Sequence, residues 1–405
     1  MRRWYLVALL TAVSAQLSAV DVEITVPRVI PQADLQTAAE NAGIDITRAF
    51  DEVLRDTDGP VGDFESRIEN DPNVQRFSEL GLLSEGFANA GATASHLGTP
   101  RAFSDYRSFA FILGTGAAVT APGIEPDTIT SAAESIEDEG DIYLGAGVQP
   151  LTAGLGVNIS RWVDRTRVYL KVGYFDIPYG TLADEVAFNS LSVGGGASYQ
   201  LLRTRQLPIG FLRWRGLTLS SGLLFQRNRT DIDIEVDEDA FSTADFGTIE
   251  FGDLGFTDDD LSGTGLTAED PFGTLEVSPT LTAAIESRTY SIPLEASTGV
   301  RILWLVDVNL GAGVDLVFGS SELSLGADAE ANFVPSQEAG SLVSTEPGSA
   351  SFNIRSEEGP QLLRPRLTGG VGVNLGPVKL DVPVMLFFDS EGNSAMAGVN
   401  LGIVW

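Results

Sequence analysis

The sequence predicts an all-β protein, an antiparallel transmembrane β-barrel of about ten strands (range roughly eight to fourteen) preceded by a helical segment. Three observations carry that expectation. No segment approaches the roughly 20 apolar residues that a membrane-crossing helix needs. From Ser108 onward apolar and polar or small residues alternate with the period of a strand. Short and long connections alternate along that region, as they do when the turns at one end of a barrel are tight and those at the other are loops.

Taken in chain order, residues 1–19 read as an export signal. Arg2 and Arg3 precede the apolar stretch Leu6 to Val13, and small residues follow at Val13-Ser14-Ala15 and Leu17-Ser18-Ala19. There is no cysteine, so no disulfide and no acylated thiol; stability must come from a core or a membrane. Residues 20–107 form a second region, acidic and helical. Leu35, Ala38, Ala39 and Ala42 recur at helical spacing with Gly43 placed to stop the helix, and Ile46, Ala49, Phe50, Val53 and Leu54 repeat the pattern. Asp71-Pro72 offers a cap and a first-turn proline. The small-residue stretch Gly86 to Gly98 leads into the first strand.

Residues 108–405 form the barrel region. Val168, Leu170, Val172 and Tyr174 alternate with Arg167, Tyr169, Lys171 and Gly173; Leu380, Val382, Val384, Leu386 and Phe388 alternate with Lys379, Asp381, Pro383, Met385 and Phe387. Short turns are expected near 161–166, 203–211, 304–306 and 376–377. Long connections are expected near 121–140, 177–186, 231–287, 320–361 and 389–394. A weak repeat, Gly154 to Asn158, Gly370 to Asn374 and Ala397 to Asn400, reads as the shared demand of tightly curved strands around a small lumen.

The C-terminal residues Val399, Leu401, Ile403 and Trp405 put one apolar face against Gly398, Asn400, Gly402 and Val404 and finish on an aromatic. This resembles the closing strand of bacterial outer-membrane β-barrels, with Trp in place of the commoner Phe. The resemblance implies an insertion signal read by the barrel-insertion machinery, outer-membrane lipids as surroundings, and a Gram-negative-type cell outer membrane as location. The architecture also loosely resembles fatty-acid-channel-type barrels, which carry an N-terminal hatch; that likeness is of fold alone.

The formal net charge is −31. From Asp231 to Ser287 there are sixteen Asp or Glu and no Lys, Arg or His, which excludes nucleic acid as a partner because phosphate would be repelled. Like-charged loops stay extended and solvated. Asp258, Asp259 and Asp260 also offer hard oxygen ligands for a divalent cation such as Ca²⁺, although no calcium-loop motif is present; no other cofactor is implied. Arg167, Lys171, Arg301, Arg364, Arg366 and Lys379 fall on inward faces, with Asp315 and Asp381 as counter-charges. Against them, the carboxylates Glu40, Asp45, Asp51, Glu52, Asp56, Asp58, Asp63 and Glu65 suggest an acidic N-terminal plug in a basic lumen, the alternative being a periplasmic segment.

Nothing points to an enzyme. His96 is the one histidine, read as a surface or packing residue; Gly194-Gly195-Gly196 lies in a strand without a following Gly-Lys-Ser or Gly-Lys-Thr; zinc has too few ligands. The expected function is a passive channel or transporter gated by its N-terminal segment, substrate undefined. The alternatives are a non-transporting structural or surface-interaction barrel using acidic extracellular loops, and a soluble secreted β-protein.

Overall fold

The computed structural model describes residues 19–55, 81–99, 106–122, 143–181, 186–208, 210–234, 248–262, 264–337 and 339–405. The export signal expected over 1–19 (save Ala19), the Asp71-Pro72 cap and most of the 121–140 connection lie outside them. The N-terminal elements are β1 (Ala19–Thr25), β2 (Arg28–Pro31), α1 (Ala33–Ala42), α2 (Ile46–Arg55) and α3 (Gly81–Ala94). Then follow β3 (Phe109–Ala121), β4 (Gly145–Asn158), β5 (Thr166–Ile177), β6 (Val186–Leu202), β7 (Arg205–Gln206) and β8 (Leu212–Ile234). The chain continues through β9 (Thr248–Glu250), β10 (Pro271–Ile302), β11 (Val306–Pro335), β12 (Val343–Glu346) and β13 (Gly348–Glu358). It ends with β14 (Leu363–Leu375), β15 (Val378–Phe388) and β16 (Asn393–Val404).

Ten strands close a ring in the order β3-β4-β5-β6-β8-β10-β11-β14-β15-β16, and β16 pairs back onto β3. Every neighbouring pair is antiparallel, so the ring has no free edge. The alternation has the expected consequence. On β16, Ala395 to Ile403 switch between outward and buried positions, with Val399, Leu401, Ile403 and Trp405 outward. Leu170, Tyr174, Leu223, Leu310, Leu367 and Val371 face out around the rest of the ring, each about half exposed or more. Soluble monomers rarely expose an apolar belt of this extent, whereas a barrel in lipid requires one. The ring is a membrane-spanning barrel by that argument.

All the short turns lie at one end. Residues 159–165, 203–211, 303–305 and 376–377 make them, and Gly376 adopts a left-handed φ of 71° to turn β14 into β15. The long connections lie at the other end, but two are shorter than expected. Acidic composition read 231–287 and 320–361 as loops, yet Asp231 to Ile234 continue β8, Pro271 to Ser287 belong to β10 and Ser320 to Pro335 to β11. A strand crosses a bilayer in roughly 9–11 residues; β10 and β11 have 32 and 30. Their paired hairpin therefore rises out of the ring on the long-connection side. There β11 leaves β14 and pairs with β13 over Ser321–Ala331, β13 pairs with β1, and β9 edges β10. Carboxylates fit this strand region because water reaches it above the apolar belt.

A second core sits on this raised sheet. α1 buries Leu35, Ala38 and Ala39 and stops at Gly43, whose left-handed φ of 75° lets the next amide groups return to the helix carbonyls. α2 buries Ile46, Phe50 and Leu54, and Asp45 accepts the Arg48 amide at its start. Both pack against Phe251, Phe256, Leu261, Phe272, Phe333 and Val343. Phe50 meets Phe333 edge-on at 4.8 Å, and Phe251 meets Phe272 at 5.1 Å. The segment expected to be helical thus also supplies strands β1 and β2, the latter paired with β12.

Candidate functional site

α3 occupies the barrel lumen. It packs against β3, β4, β8, β10, β11 and β16 of the ring, and against β13. The small-residue stretch Gly86 to Gly98, expected only to lead into β3, is mostly this helix and its C-terminal turn. The physical reason is space. A helix with ordinary side chains is roughly 10–12 Å across, a tight fit in a ring of ten strands, and the fully buried half of this one, Ala88 to Ala94, is built only from Ala, Asn, Gly and Thr. At Gly86 a Cβ would come 2.3 Å from the Leu144 carbonyl oxygen, and at Gly91 2.8 Å from Ser287 Oγ.

The helix starts at the long-connection end, where Ser84 Oγ donates to the Ser356 carbonyl at 3.1 Å. Past it, Tyr106 is buried against Gly156 near the short turns, and the Ser108 amide donates to the Trp405 carbonyl at 2.6 Å before β3 begins. The chain therefore traverses the lumen from the long-connection end to the short-turn end.

Buried polar groups hold α3 in place. Arg364 on β14 is fully buried. Its guanidinium pairs with Asp389 (Nε to Oδ1 at 2.7 Å), donates to the Asn89 carbonyl at 2.8 Å and Thr93 Oγ1 at 3.0 Å, and reaches Ser394 Oγ at 2.7 Å. Phe387 lies 4.6 Å beneath it. Asn89 also donates to Tyr143 Oη at 2.7 Å and accepts the Gln361 amide at 3.0 Å. Tyr143 donates onward to Asp389; burial, reinforced by that carboxylate, pushes its phenol up and keeps it protonated. One turn past the helix, His96 Nε2 bonds Asp315, and Arg366 pairs with Asp315 at 2.8 Å and Glu295 at 3.0 Å. Lys171 Nζ donates to the carbonyls of Ser95 and Leu97, buried groups of the turn that follows the helix, placing a cation where the helix dipole is negative.

The six basic residues singled out from the sequence thus divide. Lys171, Arg364 and Arg366 contact α3 and its C-terminal turn. Arg301 instead pairs with Asp307 through two 2.7 Å contacts near the β10–β11 turn. Arg167 lies 5.7 Å from the Tyr106 ring. Lys379 is buried two residues from Asp381 on the same face. The acidic plug is corrected: Glu40, Asp45, Asp51 and Glu52 are exposed on α1, α2 and their junction, not in the lumen, and Asp56, Asp58, Asp63 and Glu65 lie outside the described residues. The lumen cations are matched by the barrel's own Asp315 and Glu295 and by Asp389, which follows β15.

Of the two readings of His96, surface or packing, the structure has the second: it is buried, bonded to Asp315 and 5.5 Å from the Phe387 ring. Its only sequence signal was its place in the small-residue stretch. Glu295 and Asp389 had none. Asp258, Asp259 and Asp260 do not converge: Asp258 Oδ1 accepts the Ala268 amide and Asp260 Oδ2 caps Thr257. Among the described residues no group of three His, Asp or Glu is arranged to hold a metal ion. The repeated Asn residues share a location, since Asn158 and Asn374 both donate to main-chain carbonyls at the short-turn end and Asn400 is buried there.

Fold and lumen together define a membrane β-barrel plugged by a helix of its own chain. The chain belongs to the Lsa36-like family, whose model matches residues 61–405. No curated protein matches it. Among solved structures it is similar to the translocator domain of the autotransporter NalP from Neisseria meningitidis, at 10% identity over 78% of this chain and 99% of that one, TM-score 0.30. It is also similar to the CymD monoaromatic hydrocarbon channel (12% identity, 78% and 94% covered, TM-score 0.23). A third likeness is to LpxR from Salmonella typhimurium (9% identity, 73% and 100% covered, TM-score 0.20).

Proposed function

We propose that this protein is a plugged anchor in a bacterial outer membrane that displays its N-terminal unit on the cell surface. The observation that carries the reading is the path of the chain. α3 runs through the lumen towards the short turns, and the described elements before it, β1, β2, α1 and α2, lie with the raised β10–β11 hairpin on the long-connection side. In outer-membrane barrels the long loops face outward and the short turns face the periplasm. Export through the N-terminal signal, insertion read from Val399, Leu401, Ile403 and Trp405, and outer-membrane lipid around the apolar belt belong to this reading. So does the absence of catalysis.

The test is an epitope placed between α1 and α2, at Gly43 and Ile44, and another in the turn at Trp162. Antibody labels the first on intact cells and the second only after the outer membrane is opened; the reverse pattern sinks the proposal. The second reading is a channel gated by residues 20–107. It is favoured by a cavity of about 60 Å³ beneath α3, lined by His96, Arg215, Glu295, Asp381 and Asn400. Planar-bilayer recording separates the two: an anchor is silent at full length, and a gated channel opens and closes.

A further inference from the structure

We propose that one arc of the short-turn end is a docking surface for the phosphate headgroups of anionic phospholipids. The inference rests on the membrane-barrel reading. Arg107, Arg161, Arg203, Arg205 and Arg213 are exposed and Arg165 is half-buried, all at the ends of β3 to β8. Among the described residues of these turns the one acid is Asp164, and it pairs with Arg165 at 3.1 Å. Six cations against one carboxylate is the reverse of a chain whose net charge is −31.

The residues form one surface. The Gln200 amide donates to the Arg165 carbonyl at 3.0 Å, joining the β4–β5 turn to the end of β6. Asn158 donates to the Arg107 carbonyl at 3.0 Å, joining the start of β3. β7 pairs Arg205 with Trp214 and Gln206 with Arg213, and the Leu303 amide donates to the Phe211 carbonyl at 2.6 Å. Across the ring, the β14–β15 turn at Gly376 and Pro377 has no exposed Lys or Arg among its described residues. The basic surface is therefore an arc and not a full collar.

Aromatic side chains sit among these cations. Trp162 is 81% exposed, Trp304 70% and Phe211 51%, which nothing in a soluble setting would stabilise. Tryptophan favours the headgroup level, where its ring lies in apolar surroundings and its N–H in wet ones. Leu170, Leu201, Leu202 and Leu219 expose apolar surface on the adjoining strand ends, placing the arginines where acyl chain gives way to headgroup. Guanidinium binds phosphate oxygens through two parallel hydrogen bonds, and attraction to an anionic leaflet fades within a Debye length, so only cations at this depth contribute.

The test uses the full chain, refolded and assayed for a heat-modifiable band, then equilibrated with phosphatidylglycerol or phosphatidylcholine and examined by native mass spectrometry. The wild type is expected to retain phosphatidylglycerol in preference, and R161Q/R203Q/R205Q to lose on the order of tenfold of that preference. R48Q/R55Q, on α2 at the other end, is expected to keep it. Equal retention of the two lipids by folded wild type overturns the proposal, as does an unchanged preference in the triple variant. Displacement of the lipid by millimolar inorganic phosphate overturns it too, by showing a site for free anion. A chain that gives no heat-modifiable band with either lipid overturns the membrane reading itself, a result distinct from the other three.

Discussion

Replacing Arg364 with methionine removes a tie of several bonds between the plug and the barrel. Arg364 is fully buried and joins Asp389 and Ser394 of the barrel to Asn89 and Thr93 of α3. Methionine fills similar volume, so the cavity contribution is small. What remains is Asp389 stripped of its cation, and removing one partner of a buried pair costs about 3–5 kcal/mol. The loss of hydrogen bonds to the Asn89 carbonyl and Thr93 adds about 1 kcal/mol each. The double variant R364M/D389N removes the stranded charge and is expected to recover roughly half of the loss, since the α3 bonds stay broken. Urea unfolding in lipid vesicles measures both variants, and protease cleavage within residues 81–99 reports whether α3 has left the lumen. A loss below about 1 kcal/mol for R364M, or a double variant less stable than the single one, would refute the reasoning.

Three further outcomes follow from the same geometry. Gly86→Leu places a side chain where even a Cβ would lie 2.3 Å from a main-chain oxygen; α3 should fail to seat, giving rapid proteolysis of residues 81–99 and bilayer conductance while the ring still forms. Phe50→Ala empties the centre of the raised core and should cost that unit about 3–5 kcal/mol, read as an early unfolding step with the barrel transition unmoved. Burial raises the Glu85 carboxyl above its ordinary 4.5, opposed by its bond from Asn89 and reinforced by Glu391, Asp389 and Glu358. The folded state thus favours the protonated acid, so this contribution is present at low pH and lost as pH rises from about 4.5. Protection of the α3 N-terminus against protease should weaken over that rise in wild type and change less in Glu85→Gln; equal profiles would remove Glu85 from the account.

Sequence periodicity alone located most of the architecture. The dyad pattern of strands such as β5, β15 and β16 and the four short turns follow from side chains that must face lipid on one side and a small lumen on the other. α1 and α2 were legible for the same reason, because each is half buried and half wet, and that division leaves a 3.6-residue signature. Tertiary structure alone decided the rest. α3 from Ser84 to Ala94 is almost wholly buried, so it carries no polar face and reads as a small-residue linker. β10 and β11 extend past the membrane into water, where carboxylates are as welcome on a strand as in a loop; composition could not tell the two apart. The lumen network depends on contacts such as Arg364 with Asn89 and His96 with Asp315, separated by 275 and 219 positions. Spacing along the chain cannot report such pairs, because closing the ring is what brings them within reach of one another.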